Sequence, residues 1–513
     1  MGMNRTNNDI FRQVEELTVA NERLQAENKK LRAENREIRS ENARLHTRIE
    51  DLEATMEERI NKAVENAVAK AVEPMQTAIA EKDKEILRLK SQINKDSTNS
   101  SKPSSSNGYK KVPNNREKSG KKQGGQHGHK GFRLNIPKNL DELVKSGMAE
   151  HVIVSDVTEG EAYVSDWTVD IKVVTVFTEH RRKLGKPPKI EYGPQLKAIA
   201  VYLCVVGLMA YKRLSNFFHE ISHNLITISK AALAEFSRSA ANTIKLEPYV
   251  HDLLNGKVMH VDETAIKTTE RPNESGVLET SKKTTFNAYI RTYSNKTTTV
   301  LTANPYKTEE SVVTDNILTQ FHGIVSQDHE SKFYNFGDSH ATCGAHLTRE
   351  LKGLSELQML EWATDVREFF LEMNKYKNAD VHNNKTACEP ALLCNFETYY
   401  DELVKAGQLQ LASMPTNSFG YDELRRMVNR LEKHKDNYML FIRDYEAPFT
   451  NNEAERDLRH CKTKQKVSGC FRSWQGVLDY CKIRSLLATA KKRGHNLLVA
   501  LVSLGFNCIP AGQ

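Results

Sequence analysis

No apolar run in this chain approaches the roughly 18–20 residues that a helix needs to cross a bilayer. The opening residues, MGMNRTNNDIFRQVEEL, also lack the apolar segment of an export signal. Cysteine is sparse and scattered: Cys204, Cys343, Cys388, Cys394, Cys461, Cys470, Cys481 and Cys508 include no CxxC pair. That excludes a disulfide framework and a zinc knuckle, and it suits a reducing compartment. Together these absences predict an intracellular, cytoplasmic protein. An even spread of charge is missing too. The formal charge is +8, and Lys102 to Arg133 carry nine Lys or Arg against the single acid Glu117, a local excess equal to that of the whole chain. A basic arm of this kind points to a polyanionic partner. At 513 residues the chain is too long for one core and predicts two or three folded units with connectors.

What is present begins with a repeat. Leu17, Leu24, Leu31, Ile38, Leu45 and Leu52 recur every seven residues, and Val14, Asn21, Asn28, Asn35, Asn42 and Ile49 stand three positions before them. This is a heptad pattern with Leu or Ile at d and mostly Asn at a. A buried Asn costs stability and pairs with its twin only in register. Four of them therefore predict a parallel homodimeric coil with Leu17, Leu24, Asn28, Leu31, Asn35, Ile38, Leu45 and Leu52 along its seam. The helical pattern runs on to a stop at Pro74, and Ile79, Ile86 and Ile93 predict a second short coil, so residues 1–95 read as a leucine-zipper unit.

Residues 96–135, rich in Ser, Asn, Gly and Lys, read as a flexible basic linker. Its Lys110, Lys111, Lys121, Lys122 and Lys130 are candidates for DNA contact. From 136 to 195 the runs HVIVSDV and IKVVTVFTEH predict a small β unit. Residues 196–250 return to helical spacing, with Leu214, Phe217 and Phe218 marking one helix. Ile228, Ala231, Ala232 and Phe236 mark a second that starts at Ser229 and Lys230. A helix-turn-helix and an ordinary packed helical hairpin fit this pattern equally.

The stretch 256–337 carries the chemistry. GKVMHVDET and GIVSQD read as short buried strands, each ending in a carboxylate, Asp262 and Asp328. Between them TTFNAYIRTYS and TTTVLTANPY predict a hairpin across Asn295 and Lys296. TEESVVTDNILTQF has helical spacing at Val312, Val313, Ile317, Leu318 and Phe321. The order strand, strand, strand, helix, strand is that of a ribonuclease-H-like α/β core. That core is expected over 251–490, with a helical insertion at about 344–440 and a helical tail over 491–513.

In such a core the first and fourth strands are parallel neighbours, which brings Asp262 and Asp328 together. Close carboxylates repel, and a divalent cation relieves the repulsion. Hard oxygen ligands suit Mg²⁺ or Mn²⁺. With a third carboxylate from another element, such a site supports in-line displacement at phosphorus. PFTNNEAERDLRH offers Glu453 and Glu455, which cannot both face one metal from a helix; Leu458 and Arg459 lie on the Glu455 side. His260 and Glu263 flank Asp262, and His329 and Glu330 follow Asp328; strand alternation reads them as supporting the site or facing solvent. Arg456, Arg459, Lys462, Lys464, Lys466 and Arg472 form a basic run suited to phosphate. Beside it, Trp474 offers a ring for base stacking or surface packing.

Four stretches carry a family resemblance: HVDET; SQDHESKFYNF followed by CGAHLTREL; PFTNNEAERDLRHCKTKQKVSG; and YCKIRSLLATAKKRG. They resemble the DDE transposases of the insertion-sequence-66 family over most of the chain. The zipper and the GGQHGHKG stretch look like that family's front end. The resemblance implies that Asp262, Asp328 and Glu455 form a catalytic, metal-holding triad. It implies Mg²⁺-dependent cleavage and strand transfer at the ends of a mobile insertion element. It also implies double-stranded DNA as partner (element ends and target), accessory transposition proteins, and a bacterial, nucleoid-associated location. Cys343, His346 and Arg349 fall on a shared motif whose role the sequence leaves open. One departure is plain: the family carries a cysteine-based zinc-finger-like unit after the linker, and residues 135–195 hold no cysteine, so zinc is not expected. Two other readings use the same residues, a non-catalytic DNA-binding regulator and a ribonuclease-H-like hydrolytic nuclease. A structural coiled-coil scaffold leaves the strand-end carboxylates unexplained.

Overall fold

The computed structural model describes residues 4–96, 98–100, 135–154, 162, 164–181 and 190–505. The chain divides into two units, residues 1–92 and 93–513, each described by itself. Among the described residues no helix is long and apolar enough to cross a membrane.

Helix α1 spans Asn4–Asn94 without a break and contains Pro74. The expected stop at that proline is therefore not made. Proline removes one hydrogen bond and crowds one carbonyl, a penalty of about 3 kcal/mol. Here VENAVAKAVE before it and MQTAIAEKDKE after it are rich in strong helix formers. The apolar stripe of α1 stays in water: Leu17, Leu24, Leu31, Ile38, Leu45 and Leu52 are all exposed in the single chain. Each such Leu forgoes about 1.5–3 kcal/mol of burial.

The second unit begins with the short helix α2 (Leu140–Lys145). The β unit expected over 136–195 is not formed among its described residues: 151–154, 162 and 164–181 hold no strand. Val154, Val164, Ile171, Val176 and Phe177, residue types that favour strands, are largely exposed. Strand-forming residues make a strand only where a neighbouring ladder accepts the backbone and a core accepts the side chains.

Helices α3 (Pro194–Val205), α4 (Tyr211–Ile221), α5 (Lys230–Thr243) and α6 (Glu247–Leu254) follow. Pro194 opens α3, where its missing N–H costs nothing. Ser229 caps α5 by accepting the Ala232 N–H at 3.1 Å. The buried side of α5 is Leu233, Phe236, Ser237, Ala240 and Ala241, whereas Ala231, expected on that side, is exposed.

The sheet is built from β1 (Val258–Thr268), β4 (Phe286–Ser294), β5 (Thr299–Asn304), β6 (Ile324–Gln327) and β7 (Ser339–Thr342). A separate small ribbon pairs β2 (Glu270–Pro272) with β3 (Leu278–Thr280). The main order is β5-β4-β1-β6-β7, antiparallel through β1, β4 and β5 and parallel through β1, β6 and β7. The β4–β5 turn closes where expected, with Asn295 Oδ1 accepting the Thr297 and Thr298 N–H groups. Helix α7 (Glu309–Asp315) is shorter than its sequence spacing predicts: Ile317, Leu318 and Phe321 are buried beyond its end, and Val313 is exposed.

Alternation divides the sheet into two faces. Ile266, Ala288, Ile290 and Leu301 join the core made with α3, α4 and α5. Met259, Val261, Tyr293, Val300 and Val325 join Leu253, Val312, Phe321 and Phe333 on the other face. After β7 come α8 (Gly344–Gln358), α9 (Trp362–His382), α10 (Pro390–Ser413), α11 (Tyr421–Lys433) and α12 (Lys435–Arg443). They share their own core around Leu351, Trp362, Phe370, Leu424, Val428 and Met439. Helices α13 (Asn452–Ser468), α14 (Trp474–Lys492) and α15 (Leu497–Val502) return to the sheet, where Leu458, Val477 and Ile483 enter the first face's core.

Candidate active site

Strand β1 does not end at Asp262; it runs on to Thr268 because β4 continues to pair with it there. What ends near Asp262 is the parallel partner. β6 pairs Val258↔Ile324, Met259↔Val325 and His260↔Ser326, and then leaves. Asp262 lies two residues past the last pair on β1 and Asp328 two residues past it on the partner, just beyond the end of β6. His329 then takes φ 66°, a left-handed conformation that turns the chain away.

Asp262 sits in a costly place. Its Oδ1 accepts the Glu263 N–H at 2.6 Å. Burial first, and then the nearby Asp328 and Glu455 charges, push its carboxyl up to about 8 despite that bond and the His346 charge. Without a further counter-charge it keeps its proton near neutrality.

The remaining groups arrive on α8 and α13. Cys343 stands immediately before α8, and His346 and Arg349 follow at spacings that share one side of the helix. His346 Nδ1 lies 3.3 Å from Asp328 Oδ1 and 3.6 Å from Glu455 Oε1, and Arg349 Nη2 lies 3.5 Å from the same Glu455 oxygen. Asp328, Cys343, His346 and Glu455 each offer one ligand atom, all within 4.8 Å of one another. Burial acts to lower His346, but its contacts with Asp328 and Cys343 outweigh this and push it up to about 10. Among the described residues Asp328 Oδ1, His346 Nδ1 and Glu455 Oε1 are buried with no aligned hydrogen-bond partner. Buried carboxylate oxygens left in this way fit a site that expects a cation.

Glu453 faces elsewhere, 3.6 Å from Lys492 and 3.4 Å from Arg456. A rotation of about 200° between two helical positions accounts for the split.

The neighbours of the carboxylates need correction. His260 lies two positions before Asp262 and so shares its face of β1; it is buried, with Nδ1 3.1 Å from Asn451 Oδ1. Glu263 does not face solvent. On the opposite face it meets Arg291 at 2.6 Å and Lys332 at 3.0 Å, with its side chain 2% exposed. His329 lies 2.8 Å from the Tyr334 hydroxyl and packs edge-on against His434; burial, then Arg430 and His434, lower it to about 4. Glu330 pairs with Lys307 at 2.7 Å.

The basic run divides. Lys462 donates to the Ala265 carbonyl and Lys464 to the Cys204 carbonyl at 3.4 Å, so both are engaged within the fold. Arg456, Arg459, Lys466 and Arg472 are exposed. Trp474 is partly buried against the first core. Lys110, Lys111, Lys121, Lys122 and Lys130 lie outside the described residues.

Sequence pattern does not single out Asn451, yet it is fully buried against Val261 and His260 of β1. Its signal is the NN pair just before the helix. Asn there reads as an ordinary cap, yet its side chain makes no cap hydrogen bond. Strand β7, which leads directly into Cys343, was also missed; its four residues SHAT carry no apolar run.

Comparison with known proteins gives two findings. A family model described as the transposase IS66 family matches residues 189–478. The uncharacterized protein y4jO of Sinorhizobium fredii is 33% identical over 75 residues, 15% of this chain. The matched part is 23% of that relative's length.

Proposed function

Because the chain belongs to the transposase IS66 family, we propose that it is a DNA transposase whose Asp262, Asp328 and Glu455 hold a divalent metal ion, Mg²⁺ or Mn²⁺, for cleavage and strand transfer at the ends of a mobile element. The observation that carries this reading is the convergence of carboxylates. The β1–β6 pairing ends two residues before Asp262 and Asp328, the charges of Asp328 and Glu455 both act on Asp262, and His346 bridges Asp328 to Glu455. The sheet order β5-β4-β1-β6-β7, with α7 between β5 and β6, supports reading the core as ribonuclease-H-like. A divalent ion bound there would activate a water or 3′-hydroxyl and stabilise the leaving oxygen.

The chain's own residues supply the rest. Asp328 and Glu455 present buried oxygens toward a common point, and the crowding that raises Asp262 is what a cation relieves. Arg349 stands 3.5 Å from Glu455, and its guanidinium is placed to meet a phosphate there. The exposed Arg456, Arg459 and Lys466 extend a basic surface along α13 beside Glu455, suited to a DNA backbone.

Helix α1 supplies the dimer. Paired in parallel and in register, it sets Glu27 against Arg32, Glu34 against Arg39, Glu41 against His46 and Arg48 against Glu53 of the other copy. The opposite orientation brings Glu27, Glu34 and Glu41 together instead.

The test is a reaction of the full chain with duplexes carrying the ends of its own element, with and without Mg²⁺. A transposase gives cleaved ends and joined products. A hydrolytic nuclease gives cleavage without joining, and a DNA-binding regulator gives retarded but intact duplexes.

A further inference from the structure

We propose that Asn451 is a positioning residue, holding the elements that carry Asp262, Glu455 and His346 in one arrangement. The proposal rests on the reading of the carboxylates as a metal site. Asn451 is fully buried and spends every polar group it has. Its Nδ2 donates to the Val261 carbonyl at 2.8 Å, the carbonyl of the peptide bond that leads into Asp262. Its Oδ1 lies 3.1 Å from His260 Nδ1, two positions before Asp262 on the same face of β1. Its backbone N–H donates to Cys343 Sγ at 3.3 Å, at the start of α8. Its carbonyl accepts the Glu455 N–H at 3.3 Å, in the first turn of α13.

One residue thus touches β1, α8 and α13. The approach is clamped next door as well: the Gly344 N–H donates to the Phe449 carbonyl at 2.8 Å, and a Cβ on Gly344 would stand 2.2 Å from the Phe449 ring. The segment 449–451 therefore lies against the start of α8 with no room for a side chain between.

The chemistry selects Asn. The Val261 carbonyl only accepts, so the amide N–H₂ must face it, and this turns Oδ1 toward His260. His260 must then carry its proton on Nδ1. Asp lacks the donor, Ser lacks the reach, and Gln is one methylene too long for the closed space. Groups that orient ligands from behind in this way typically change metal affinity by about 10–100-fold when removed.

The experiment uses the full chain and Mn²⁺ alone as probe, with free Mn²⁺ followed by electron paramagnetic resonance. Asn451→Ala is expected to weaken Mn²⁺ binding about 10–100-fold while its circular dichroism and a cooperative, lowered melt show that it still folds. Parental Mn²⁺ affinity in a folded Asn451→Ala protein would overturn the proposal. Asp328→Ala separates the two readings: if it binds Mn²⁺ like the parent, the metal reading fails, and the next measurement alone decides the Asn451 contact. In ¹⁵N-histidine-labelled parent protein, the His260 signal, identified by its loss in His260→Gln, is expected as the Nδ1–H tautomer. Observation of the Nε2–H tautomer would overturn the proposal, whether or not Asn451→Ala folds.

Discussion

Glu453 and Glu455 stand two positions apart on α13 and answer to different neighbours. Glu453 lies 3.6 Å from Lys492, on the side of α14, whereas Glu455 lies 3.6 Å from His346, on the side of Asp328. The helix gives each carboxylate its own surroundings, and a comparison of the two tests the site directly.

Glu455→Gln should reduce Mg²⁺-dependent end cleavage by more than about a hundredfold, beyond the range typical of a residue behind the ligands. Glu453→Gln should keep cleavage and lose about 0–1 kcal/mol of stability, as expected for a partly exposed ion pair. Rates on element-end duplexes check the first half and thermal melts the second. A dead Glu453→Gln with an active Glu455→Gln would reverse the assignment.

Asp262 makes stability depend on pH and metal. Its folded-state value, about 8, lies above the ordinary 3.8, so the folded chain holds that proton more tightly than the unfolded chain. The contribution is fully present below the ordinary value and is lost as pH rises toward 8. Metal-free protein should therefore melt lower at pH 8 than at pH 5 through this group, and Mg²⁺ should recover more at pH 8. Asp262→Asn should flatten both trends. A melting series of parent and variant across that range checks the difference.

Arg291 is fully buried and pairs with Glu263 and Asp315, behind the strand that carries Asp262. Removing one partner of a buried ion pair leaves the other charge uncompensated, at about 3–5 kcal/mol. Arg291→Ala should therefore unfold the sheet at markedly lower urea than the parent. A midpoint within error of the parent would show the network to be dispensable.

The basic run predicts two classes of effect on DNA binding. Arg459→Ala, at an exposed position, should weaken binding to any duplex and reduce the slope of log affinity against log salt by about one. Lys464→Ala, whose amine meets the Cys204 carbonyl, should lower the melting temperature and leave that slope unchanged. Fluorescence anisotropy at several salt concentrations reads both.

A peptide of residues 1–60 should sediment as a dimer at micromolar concentration. Reversing the charges of Glu27, Glu34 and Glu41 to Lys should weaken it, because each then faces Arg32, Arg39 or His46 of the other copy. A monomer in the parent peptide would rule out an autonomous coil.

Much of this was legible in the residues themselves. The heptads of α1, the apolar strands before Asp262 and Asp328, the Asn295 turn and the helices after Cys343 follow from periodicity and turn chemistry, which act over a few residues. Local pattern failed where a partner was needed. The Val- and Ile-rich runs of 151–154 and 164–181 found no ladder among the described residues, Pro74 did not stop a helix well supported on both sides, and β1 outran Asp262 because β4 stayed paired.

The sequence by itself determined which side chains are present at the carboxylate site, and two of the strands that deliver them. Only the tertiary structure decided their company: Glu455 rather than Glu453 beside Asp328, His346 and Arg349 between them, Lys462 and Lys464 spent inside the fold, and Asn451 joining three elements. Those outcomes depend on residues more than a hundred positions apart meeting in a buried space. There an unpaired polar group is costly enough to select one arrangement, and no short-range pattern encodes that choice.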